Sequence, residues 1–190
     1  MKIINALEKR RSYYEINKDM PVSQDKVIDF VNRATELVPD AFDMKSSRVI
    51  IALGKQHDQL WDNIYNVFEG QVPREKIDSF KSGYGTILYF YDMDVVEDLK
   101  SQYELYADRF ENWAIQVSGM LQINIWSGLR ELDIGASLQH YNPIIDDMVR
   151  EMFDLPSSWV LNAQMPFGGI VTEPEPKEKE DISKRVIISK

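Results

Sequence analysis

The 190-residue chain has no cysteine and only two histidines, His57 and His140. The first absence excludes disulfides, cysteine metal sites and thiol nucleophiles. The second leaves too few imidazoles for a histidine-rich metal centre. No apolar run approaches the roughly 20 residues that cross a bilayer, and the start MKIINALEKRRS places its charge after a short apolar stretch, the reverse of a signal peptide. Positive charge is also scarce, with 31 acids against 22 bases and a net charge of -9. That balance argues against nucleic acid or an anionic membrane as the main partner, and a soluble cytoplasmic protein is the expectation. Phosphate-cradling glycine loops are missing as well: Gly83-Tyr84-Gly85 is too short, and neither a dinucleotide fingerprint nor a P-loop occurs.

What is present suffices for one domain, since 44% of the residues are hydrophobic. Ile3, Ile4 and Leu7 have helical spacing. Ser23 reads as the N-cap of a helix with apolar Val27, Phe30, Val31, Ala34, Leu37 and Val38, stopped before Pro39. Ser47 to Leu53 and Thr86 to Tyr91 read as buried strands. Helical spacing returns from His57 to Phe68, with His57 placed at the surface. Ala107 to Leu132 is the longest helix expected, apolar on most sides in its middle, so part of it is free to meet another subunit. Trp113 and Trp126 on that helix read as core or interface residues. A short strand at 135–138, a helix at 144–153 and a strand at 159–166 complete the pattern. Residues 173–181 are Glu, Lys and Pro with almost nothing apolar and cannot fold alone. The β-like terminus from Arg185 onward makes residues 173–190 an arm that docks.

Four sets of residues are candidates for chemistry. Lys9-Arg10-Arg11-Ser12 is the densest cationic cluster, echoed by Lys184-Arg185. Guanidinium forks and a hydroxyl suit a phosphate, while bases closing a short helix also complement its negative end. Asp92-Met93-Asp94 after a hydrophobic strand resembles the aspartyl pair of haloacid-dehalogenase-like phosphatases, but the Thr or Gly that follows in that motif is absent and a helix cap by Asp94 is simpler. A magnesium-dependent phosphatase using Asp92 is the distant alternative. Asp146-Asp147 reads as the solvated first turn of a helix. His140 lies in the polar and aromatic loop 137–143, where α/β-type proteins often place ligand contacts.

Read together, three separated segments resemble the nitroreductase family, in particular its branch of small reductases related to fatty-acid-response nitroreductases. They are Arg10-Arg11-Ser12-Tyr13-Tyr14, then Ala41-Phe42-Asp43-Met44-Lys45-Ser46-Ser47-Arg48, and Gly135 to Pro143 followed by Gln164 to Gly168. The resemblance spans Ile3 to Arg185. It implies an α+β fold, a central and mostly antiparallel sheet flanked by helices, and an intertwined homodimer held by the C-terminal arm with two flavin sites at the interface. It further implies flavin mononucleotide (FMN) as cofactor, NAD(P)H as hydride donor and a small electron-poor acceptor such as a nitroaromatic or quinone. Contacts to FMN fall on Arg10, Arg11, Ser12, Tyr14, Asp43, Lys45, Ser46, Ser137, Leu138, Gln139, His140, Tyr141, Lys184 and Arg185. No side chain need act as acid or base, since the flavin carries the reaction, and a backbone N–H of loop 138–141 is expected to face its ring. One departure stands out: Asp43-Met44-Lys45 replaces the family's Asn-Ser-Gln, which puts its redox tuning in question. A flavin-binding or sensing protein with little turnover is therefore the alternative.

Overall fold

The computed structural model describes residues 1–178 and 180–190. In chain order the elements are α1 (Lys2–Lys9), β1 (Ile16–Asn17), α2 (Gln24–Leu37), β2 (Ser47–Leu53), α3 (Lys55–Val67), α4 (Arg74–Lys81), β3 (Gly85–Asp92), α5 (Met93–Gln102), α6 (Phe110–Glu131), β4 (Ile134–Ala136), α7 (Asp146–Phe153) and β5 (Trp159–Ile170). Ser23 caps α2 as its sequence position requires, its hydroxyl accepting from the Lys26 amide at 3.3 Å. Asp92, not Asp94, caps α5, accepting from the Asp94 amide at 3.2 Å.

The sheet runs β1-β5-β3-β2, with β4 also on β5, and every pairing is antiparallel. Strand alternation explains its two covered faces. Ile87 and Tyr89 of β3 join Ala163, Met165 and Phe167 of β5 against α2 and α6, while Leu88 and Phe90 face α3, α4 and α7. β3 is buried throughout, but β2 is not the buried strand its composition suggests: only Ala52 is fully covered. The reason is position, because β2 is an edge strand paired with β3 alone. Gly128 lets α6 approach α2, since a Cβ there would collide with the Phe30 ring.

His57 is a clear departure from expectation, fully buried rather than at the surface. Its Nε2 lies 3.1 Å from the Lys81 carbonyl, so that nitrogen carries the hydrogen. Nδ1 then accepts from the Thr86 hydroxyl at 2.9 Å, and Thr86 Oγ1 accepts from Trp61 Nε1 at 2.8 Å. The helical period places His57 one turn before Leu60 and Trp61, on the face that enters the core.

Candidate functional site

The cationic cluster lies where α1 ends, with Arg10 as its C-cap in extended backbone. Lys9 pairs with Glu131 at 3.4 Å, an exposed helix-end contact. The Arg10 guanidinium stacks 4.3 Å from the centroid of the Trp126 ring, and Arg11 donates to the Glu175 carbonyl at 2.7 Å. Among the described residues neither guanidinium meets a carboxylate, and the Nε of each is buried without a partner. Burial, and then the adjacent Arg11 charge, pull Arg10 below its ordinary pKa. Two neighbouring cations without an acid are costly unless an anion completes them.

This cluster is physically joined to the loop after β4. The Ala136 carbonyl accepts from the Tyr13 amide and from Trp126 Nε1, both at 3.0 Å. Trp126 therefore both carries Arg10 and fixes the strand that leads into Ser137. Ser12 lines a small cavity of 120 Å³ with Tyr13, Glu15 and Glu173, and Tyr14 is exposed, its ring 6.5 Å from Phe80.

Loop 137–141 is held to β5 by the Ser137 amide, which donates to the Pro166 carbonyl at 3.2 Å, and by a buried amide residue, Gln164. Its backbone exchanges two hydrogen bonds with Gln139, at 2.7 and 2.9 Å, and its Oε1 accepts from the Tyr141 amide at 2.8 Å. Ser137 is fully buried and its hydroxyl accepts from Gln139 Nε2 at 3.1 Å, Leu138 packs against the core, and His140 is exposed. Tyr141 is buried edge-on to Trp61 and Phe68, with its hydroxyl unpartnered and its pKa raised by burial. The amides of Gln139 and Tyr141 are thus already used. Those of Leu138 and His140 have no protein partner among the described residues, which narrows the expectation of a loop N–H facing a ligand to these two.

Asp43, Lys45 and Ser46 stand elsewhere. Lys45 Nζ lies 3.0 Å from Asp43 Oδ2, and both residues line a cavity of 280 Å³ with Asp40, Ser47 and Arg48. Ser46 is fully buried with an unpartnered hydroxyl. Its amide donates to Asp40 Oδ2 at 3.3 Å, and burial raises the Asp40 carboxyl above its usual range. Phe42 anchors this loop by stacking 5.7 Å from Trp113. Trp113 and Trp126 are thirteen residues apart on α6, about 20 Å along its axis at 1.5 Å per residue. A single chain therefore does not bring Asp43 and Lys45 to Arg10 and Arg11.

The arm is likewise divided. Its start is fastened at the cationic cluster: Glu173 accepts from Tyr13 Oη at 2.8 Å and from Arg130 at 3.2 Å. Residues 180–190 are exposed, and Arg185 pairs with Glu180 at 2.7 Å, so Lys184 and Arg185 do not join Arg10 within one chain. Asp92 is committed twice, to the α5 cap and to Arg48 at 2.9 Å, which removes the observation behind a phosphatase. No group of three or more His, Asp or Glu among the described residues could hold a metal ion, and none of the described helices is long and apolar enough to cross a membrane.

Trp126 and Gln164 are the positioning residues that spacing alone missed. Gln164 carried a usable signal: an amide inside the apolar run of β5 must find buried partners. Trp126 carried none beyond its helical register.

The family model described as the nitroreductase family matches residues 7–169. The chain is similar to the nitroreductase CinD of Lactococcus lactis in complex with chloramphenicol, with 39% identity and a TM-score of 0.94 over 99% of this chain and 100% of that one. The CinD complex with 4-nitrophenol aligns with 38% identity and a TM-score of 0.92 over the same shares. The nitroreductase FRM2 of Saccharomyces cerevisiae is 28% identical over 179 residues, 92% of this chain and 91% of the relative.

Proposed function

Because the chain belongs to the nitroreductase family of flavin-dependent NAD(P)H oxidoreductases, we propose that it binds FMN at the Arg10–Arg11 cluster and loop 137–141 and reduces a small electron-poor acceptor. When bound, FMN supplies hydride transfer from NAD(P)H to that acceptor. One observation carries the reading: two guanidiniums without acid partners and two loop amides, those of Leu138 and His140, without partners among the described residues are held to a common anchor, the Ala136 carbonyl and the residue after it. The donors fit the group. Arg10 and Arg11, with Ser12 beside them, would bind the phosphate by charge-assisted hydrogen bonds. Leu138 and His140 would orient the ring through their backbone N–H groups, and Ser137 and Gln139 keep that loop in place. No residue is assigned a proton transfer.

The site is completed by a second copy of the chain. The roughly 20 Å along α6 that separates Phe42's anchor from Arg10's supports a reading in which Asp43, Lys45 and Ser46 come to an FMN held by Arg10 from another subunit. Exposed Ile115 and Met120 on α6, and Val186, Ile187 and Ile188 on the arm, are apolar surface suited to that interface. Lys184 and Arg185 would arrive at the phosphate on the partner's arm. A nitroaromatic acceptor is favoured by the likeness to CinD solved with 4-nitrophenol. Adding NADH or NADPH anaerobically to the FMN-loaded protein should bleach the flavin bands, and 4-nitrophenol or a quinone should restore them. Flavin that stays bound and oxidised would leave a flavin-binding or sensing protein and overturn the reductase reading.

A further inference from the structure

The loop before β2 presents an ion pair on a frame that is held from several sides. Phe42, Asp43 and Lys45 have left-handed φ values of 56°, 52° and 53°, backbone that non-glycine residues seldom adopt. Arg48 donates to the Lys45 carbonyl at 2.8 Å while its other arm holds Asp92 at 2.9 Å. Beneath them, Phe42 lies in an aromatic cluster with Tyr103 at 4.8 Å and Phe110 at 5.2 Å. On this frame the Asp43 and Lys45 side chains are 79% and 76% exposed, yet 3.0 Å apart. An exposed pair contributes little to stability, so the Arg48 and Phe42 contacts, not the pair, hold this left-handed backbone, and the pair itself is left presented to solvent. The other charges lining the cavity are engaged: Glu36 pairs with Arg33, Arg48 with Asp92, and Asp40 accepts from the loop's own amides. A ligand at this loop therefore meets Asp43 and Lys45 first.

Resting on the reading that this loop reaches FMN from a second subunit, we propose that Asp43 and Lys45 meet its pyrimidine edge as one neutral ion pair and that the carboxylate cancels the cation's pull on the reduced ring. The pair has the right unused groups. Asp43 Oδ2 faces Lys45, leaving Oδ1 to accept from a ring imide N–H, and the ammonium keeps two further N–H donors for an adjacent ring carbonyl. Acceptor and donor then stand side by side, as on a carboxamide, with no net charge. A free lysine would favour the negative charge that gathers on this edge when the ring is reduced. Paired at salt-bridge distance, the two charges leave only a short-range dipole.

Midpoint potentials of the FMN-loaded protein and its variants, read by spectroelectrochemical reduction, test this directly. Lys45→Met should move the potential to more negative values by leaving a bare carboxylate. Asp43→Asn should move it to more positive values by leaving a bare cation. The double variant Asp43→Asn with Lys45→Gln should return close to the unmodified protein. Potentials unmoved by either single change, single changes that shift it in the same direction, or a double variant displaced as far as either single would overturn the ion-pair inference alone. Failure of the unmodified protein to bind FMN would overturn the functional reading and this inference with it.

Discussion

At the scale of single residues, Arg10 and His57 show how burial turns an ordinary side chain into a specific one. Arg10 is pressed on Trp126 with its Nε unpartnered among the described residues, which leaves hydrogen-bonding capacity for an anion. Arg10→Ala should weaken FMN binding by about 1.5–3 kcal/mol, the scale of a lost charged hydrogen bond, with thermal stability nearly unchanged; flavin fluorescence titration reads the loss. His57 acts on stability instead. Burial holds its pKa below the ordinary 6.5, so between about pH 6.5 and that lower value the unfolded chain binds a proton that the folded chain does not. The contribution is intact above about pH 6.5 and is lost as pH falls through that window. Urea midpoints at pH 7.5 and 5.5 should therefore drop for the native chain and drop less for His57→Gln. The surface position expected for His57 failed because its helical register, one turn before Leu60 and Trp61, puts it on the buried face of α3. In a core, an imidazole with a partner on each nitrogen is as acceptable as an aliphatic side chain.

At the scale of elements, most of the fold was legible and the reasons for the rest are specific. β2 occurs over Ser47–Leu53, and α6 over Phe110–Glu131 within the longer span expected for it, because both are announced by long and unambiguous apolar patterns. α4 escaped notice because only Ile77 and Phe80 enter the core from its eight residues. The burial of β2 was misjudged because the β-branched composition of an edge strand equals that of a central one. In the site, the 137–141 loop and the cationic cluster were legible as motifs. The role of Gln164 was only partly legible: a polar amide in the apolar run of β5 signals buried partners, but which loop it holds is set by tertiary contacts. Gln164→Leu keeps the backbone bridge to Gln139 but leaves the Tyr141 amide unpaired in the core. It should cost about 1–3 kcal/mol of stability, measured by urea denaturation, and weaken FMN binding in the same protein. Unchanged stability with unchanged FMN affinity would show that the loop holds its shape without this side chain.

At the scale of the whole molecule, the proposed site asks for a second copy of the chain. The residues proposed to contact FMN fall in two groups set by Trp113 and Trp126 on one helix. The chain's last residues, from 180 to 190, are exposed despite Val186, Ile187 and Ile188. The composition indicates a tail that docks, and within one chain residues 180–190 stay exposed, so the proposed dock is on a second copy. Removing residues 181–190 leaves the Glu173 and Glu175 contacts with Tyr13 and Arg11 intact. The truncated protein should nevertheless sediment with a larger monomer fraction and release FMN faster, and Arg185→Ala should reproduce the faster release alone. The claim on which all of this depends is that the chain is built around FMN. The visible spectrum of the purified protein, incubated with FMN and passed through gel filtration, tests that most directly. The account predicts flavin bands that co-elute with a dimer at one FMN per chain, whereas a colourless protein peak with all the flavin in the small-molecule fraction would contradict it.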